Sequence, residues 1–116
     1  MKDRPLKDRL RDLTMAYCAV PGLSGHEARI RAAIQADLGG GQVDTLGNLW
    51  RTYSGDADAP SIMLFTHMDQ LGFIVRKIEP DGFLRLERLG GVPERALAAQ
   101  AVTICTRDGD LPGIIA

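Results

Sequence analysis

One stretch constrains this chain more than any other: residues 61–73, SIMLFTHMDQLGF. Within 61–66 the apolar run Ile62, Met63, Leu64 and Phe65 has the character of a strand buried on both faces. His67 and Asp69 stand at its end, one residue apart, and Gly72 then lets the backbone leave at an angle that other residues resist. In open α/β sheets the carboxyl ends of buried strands are where ligands and catalytic groups collect. A His there can bind a metal through one ring nitrogen, and an Asp two residues on can orient it. On spacing alone the plainer reading is the stronger one: a hydrogen-bonded His at a strand end, beside a solvated Asp.

The rest of the composition narrows the class. With 116 residues there is room for one ordinary domain or two incomplete ones. A hydrophobic fraction of 45%, a charged fraction of 25% and a net charge of −1 are those of a soluble globular protein. The isoelectric point near 6.1 gives no electrostatic reason to expect nucleic acid or an anionic membrane as partner. The start, MKDRPLKDRL, has no apolar core of signal-peptide length, and no segment has the run needed to span a bilayer. Cys18 and Cys105 lack a C-x-x-C partner and a secretory context, so buried, reduced thiols and a cytoplasmic location are expected.

In chain order, Pro5 suits the first turn of a helix whose stripe is Leu6, Leu10, Leu13, Tyr17 and Val20. Pro21 and Gly22 stop it. Ser24 and Glu27 then form a capping-box pattern for a second helix with the stripe Ile30, Ala33, Ile34 and Leu38. His26, in the first turn of that helix, is read as a surface residue without a role. Segments 43–46 and 49–53 flank Gly47 and Asn48, a pair that suits a two-residue hairpin. A polar loop, 54–60, leads into the buried strand.

After Gly72 the pattern becomes short strands with tight turns. Segments 73–78 and 83–89 are joined through Pro80, Asp81 and Gly82, and 102–106 and 111–115 around Asp108 and Gly109. Such a series indicates a small barrel or sandwich. The final residues read as the middle of a strand, and neither half has enough chain to close its own core comfortably. The expectation is the front portion of a longer protein.

Five segments carry a resemblance from about Leu13 to Ala116: VPGLSGHE (20–27), VDTLGNL (43–49), THMDQLGFIV (66–75), DGFLRLERLGG (81–91) and GDLPGIIA (109–116). Together they resemble the amino-terminal third of family forty-two of the metallopeptidases, the dinuclear aminopeptidases that include glutamyl and deblocking enzymes. The resemblance implies the opening part of an α/β catalytic domain, residues 1–71. Part of an inserted, oligomerising β-barrel domain, residues 72–116, would follow.

For chemistry, the resemblance implies removal of amino-terminal residues from peptides with two divalent ions, zinc or cobalt. His67 matches one metal ligand. Asp69 matches the residue that accepts a hydrogen bond from the other ring nitrogen and fixes its tautomer. Gln70 stands where family members commonly have Glu. The family's bridging Asp, its Glu-Glu pair, a further acidic ligand and a second ligand His all lie after the inserted domain, and no Glu-Glu pair occurs here. One imidazole cannot hold zinc tightly, so the chain alone is expected to carry no tightly bound metal and no activity. In the parent the implied partners are a peptide substrate and further copies in a homo-oligomer. Two alternatives stay open. One is a short, non-catalytic interaction module that assembles through its β half. The other is a glycoside hydrolase, since relatives have been labelled cellulases, although nothing in the spacing of Asp69, Glu79, Glu87 and Glu94 singles out the flanking carboxylates that chemistry needs.

Overall fold

The structure, a computed structural model, describes residues 4–116. The chain has two compact units, the first ending at Asp69 and the second spanning Gln70–Ala116. Helices lie in the first and β-hairpins in both, a mixture compatible with the α/β class. The expected first domain, 1–71, opens with three residues that lie outside the described ones.

In the first unit, α1 (Leu6–Cys18) starts directly after Pro5, whose carbonyl accepts the amides of Asp8 and Arg9. Asp8, in the first turn, adds the negative charge that the positive end of the helix dipole favours. The second helix, α2 (Ala28–Asp37), is closed by the amides of Gly39 and Gly40, which reach back to the carbonyls of Ala36 and Gln35. The Tyr17 hydroxyl donates to Asp37 Oδ2 at 2.9 Å and ties the helices together. Ile30 of α2 is the one buried apolar side chain among the described residues, 2% exposed. It fits because position 22 is glycine: a Cβ there would stand 2.6 Å from Ile30 Cγ2. No residue of α1 is buried, so its apolar stripe is correctly spaced yet has little laid against it.

The capping box does not form. Glu27 is the residue that caps α2, without a side-chain capping bond, and its carboxylate instead accepts the Gly25 amide at 2.6 Å. The Ser24 hydroxyl is turned elsewhere, as described below.

The next hairpin pairs β1 (Gln42–Val43) with β2 (Leu49–Trp50), with Val43 opposite Leu49. Its loop is therefore 44–48, not the two-residue turn expected at Gly47 and Asn48. Asp44 decides this: Oδ1 accepts the amides of Leu46 and Asn48, and Oδ2 accepts the Asn48 side-chain amide, all at 2.8–2.9 Å. A side chain that satisfies three donors locally stabilises a wider loop. From α2, the Arg31 guanidinium donates to the Gly47 carbonyl at 3.2 Å.

The largest departure from expectation is at 61–66. The segment is in no ladder, and Ile62, Leu64 and Phe65 are 84%, 93% and 92% exposed. It is not a buried strand here. Burial on both faces needs neighbours on both sides and helices above and below, and the described residues supply none of these.

In the second unit β3 (Gly72–Ile78) pairs antiparallel with β4 (Leu84–Leu89), from Gly72 opposite Leu89 to Ile78 opposite Leu84, with an irregularity between Val75 and Lys77. Glu79, at the turn, is clamped by Lys77 at 2.5 Å and Arg85 at 3.0 Å. These two cations, Lys77 foremost, hold its carboxyl below the usual range. A 3-10 turn (Glu94–Ala96) precedes β5 (Ala101–Thr106) and β6 (Gly109–Ile114), joined by a two-residue loop because Thr106 pairs with Gly109. The three ladders remain separate two-stranded sheets, and among the described residues no barrel closes. Both hairpins come from local turns, whereas closure needs pairing between hairpins. Cys18 and Cys105 are both exposed, against expectation, since each lies on an element with little packed against it. Among the described residues, no helix is long and apolar enough to cross a membrane.

Candidate functional site

The expected site residues, His67 and Asp69, do come together. The chain turns tightly enough after Thr66 for His67 Nδ1 to lie 2.9 Å from Asp69 Oδ1 and 3.2 Å from the Asp69 carbonyl oxygen. Both of those atoms are acceptors, so the neutral ring carries its proton on Nδ1 and donates it to Asp69. Nε2 is then left with its lone pair. That is the state in which an imidazole can ligate a metal, with a carboxylate behind it fixing tautomer and orientation. The His67 side chain is 83% exposed.

Asp69 has a second partner that the sequence did not suggest. The Ser24 hydroxyl, 45 residues away, donates to Asp69 Oδ2. Both carboxylate oxygens are therefore occupied, one by Ser24 and one by His67. Together they hold the Asp69 carboxyl below its ordinary value, with the Ser24 hydrogen bond as the larger cause and His67 next. Ser24 was legible only as a helix cap; no local periodicity links it to the H-M-D turn. His26 is exposed, and its amide closes a short turn onto the Leu23 carbonyl at 2.7 Å.

Among the described residues there is no group of three or more His, Cys, Asp or Glu side chains able to surround an ion. His67 and Asp69 thus present a single imidazole nitrogen, Nε2, with no further His, Cys, Asp or Glu side chains grouped around it among the described residues.

The family model for the M42 glutamyl aminopeptidases matches residues 47–116. The chain belongs to this family. It is 34% identical over 100 residues to the lysyl aminopeptidase of Pyrococcus furiosus, covering 82% of this chain and 28% of that protein. With the glutamyl aminopeptidase of Lactococcus lactis subsp. cremoris the identity is also 34%, over 103 residues, 84% of this chain and 29% of the relative. The Escherichia coli protein SgcX is 48% identical over 73 residues, 62% of this chain and 20% of its own length. The chain therefore spans between a fifth and a third of the M42 relatives it matches, and the match to the family model includes the H-M-D turn and all of the second unit.

Proposed function

We propose that this chain is the amino-terminal portion of a metal-dependent M42 aminopeptidase, which removes amino-terminal residues from peptides with two divalent ions, zinc or cobalt. The observation that carries the reading is the His67–Asp69 pair, in which Nδ1 donates to a carboxylate at 2.9 Å and Nε2 is kept as the ligating atom. The relatives named as lysyl and glutamyl aminopeptidases support the substrate class. In this reading residues 1–71 are part of the catalytic domain and residues 72–116 part of an inserted β-rich domain through which copies assemble, in the cytoplasm.

When bound, such a pair of ions polarises the scissile carbonyl and makes water nucleophilic at neutral pH. This chain's contribution is narrower. His67 Nε2 would hold one ion, with Asp69 keeping the proton on Nδ1 so that Nε2 is not blocked by its own hydrogen. Gln70, in place of the usual Glu, contributes no negative charge beside them. With one ligand of several, the 116 residues by themselves hold metal weakly and turn over no peptide.

The test is made on the full-length protein. His67→Ala is expected to lose or loosen one of the two ions, measured by elemental analysis, and to lose turnover of an amino-acid anilide. Asp69→Asn should be milder, about 10–100-fold in metal affinity or activity. Equal loss of metal in both variants would place Asp69 on the ion itself. No change in either would leave His67 as an ordinary surface histidine.

A further inference from the structure

We infer that Ser24 is a positioning residue for the metal-binding His67, acting through Asp69; the inference rests on the reading of His67 as a ligand given above. The SGHE stretch reads as a helix cap, yet α2 has no side-chain capping bond from it. The Ser24 hydroxyl has been diverted to Asp69 Oδ2, across 45 residues of sequence, while Asp69 Oδ1 takes the His67 Nδ1 proton. A carboxylate held by one hydrogen bond can swing about its terminal torsion, because such sp3–sp2 torsions are broad. Held by two donors on its two oxygens, it has one orientation. Ser24 thereby fixes the acceptor that fixes the imidazole.

A second feature of the fold points the same way. Ser24 lies on the loop that leads from α1 to α2, and that loop is seated by Gly22. The bare Cα of Gly22 packs on Ile30, and a Cβ there would lie 3.6 Å from the Met68 carbonyl oxygen. The loop therefore lies against the backbone of the H-M-D turn itself, anchored by the one buried side chain of the described residues. Ser24 is exposed, so removing its hydroxyl opens no buried cavity.

The experiment reads the histidine tautomer directly. In the 15N-labelled chain, long-range proton–nitrogen correlations of the two imidazoles are recorded in alkaline buffer, with the backbone amide spectrum as the control for folding. Wild-type His67 is expected in the Nδ1–H form. Ser24→Ala should move it toward a mixture with the Nε2–H form, Asp69→Asn should move it at least as far, and Ser24→Thr should restore it. A His67 signal unchanged in Ser24→Ala while Asp69→Asn shifts it would overturn the inference and leave the proposed function standing. A shift that Ser24→Thr does not reverse would overturn it too, since the hydroxyl would not be the cause.

In the full-length protein, titrated with cobalt(II) alone, Ser24→Ala should weaken binding by no more than Asp69→Asn does. The double variant should bind no more weakly than Asp69→Asn alone, because the two act in series. Additive losses would mean that Ser24 acts by another route and would refute the inference. Failure of the ligand assignment itself shows separately, as full metal content in His67→Ala.

Discussion

Residues 62–65 and the start of β3 at 73–75 are comparable runs of apolar side chains, a few residues apart in sequence. They end in opposite states. Phe73, Ile74 and Val75 are paired across β3 and β4 with Arg88, Glu87 and Leu86. Ile62, Met63, Leu64 and Phe65 are in no ladder and stand almost wholly in solvent. Hydrophobicity alone does not separate them. What does is the distance to a partner: β3 meets β4 across one short turn, so little loop entropy opposes the pairing. The 62–65 run needs neighbours from farther away in sequence, as strands buried on both faces do. An apolar run thus specifies a need for partners, and the turn beside it specifies whether strand pairing is met locally; Ile74 and Val75, though paired, stay 40% and 42% exposed.

Three substitutions would break or sharpen that contrast, and they descend in expected effect. Ile30→Ala should be the largest, about 2–5 kcal/mol by loss of buried aliphatic volume, because Ile30 is the one buried apolar side chain among the described residues. A denaturant midpoint followed in the first unit would show it, and an unchanged midpoint would mean that Ile30 and Gly22 do not anchor that unit.

Gly82→Ala comes next. Gly82, at the turn between β3 and β4, has φ +89 and nothing within 4 Å of a built Cβ, so the penalty is purely conformational. A left-handed residue with a side chain costs roughly 1–2 kcal/mol. Faster amide exchange confined to 72–89 is the expected result, and protection equal to wild type would show that the turn does not set the pairing.

Phe65→Ser should be the smallest, within about 0.5 kcal/mol in this chain, as for an exposed site away from special features. A loss above about 2 kcal/mol would show that Phe65 is buried in solution and that the two runs do not differ in this way.

Much of the secondary structure was legible in the sequence, for local reasons. The helix after Pro5, which ends at Cys18 and so short of the stop expected at Pro21 and Gly22, and the hairpins around Gly82 and Gly109 all depend on residues within a few positions of one another. The errors were also local patterns with more than one use. Ser24 and Glu27 have the spacing of a capping box, but α2 begins after Glu27 without a side-chain cap, and the Ser24 hydroxyl is oriented instead by donating to Asp69. Gly47 and Asn48 suit a tight turn, but Asp44 offered three donors a better acceptor and widened the loop.

At the candidate site the division is the same. By itself the sequence determined only that His67 and Asp69 can reach each other, since a single residue separates them. It determined the family as well, through segments that resemble it in order and spacing. Only the tertiary structure decided the rest. It set Nδ1 of His67 on Asp69, brought Ser24 across 45 residues to the other carboxylate oxygen, and left the 62–65 run bare. Hydrogen bonds and burial between distant segments depend on which surfaces meet, and no pattern confined to a few neighbouring residues carries that information.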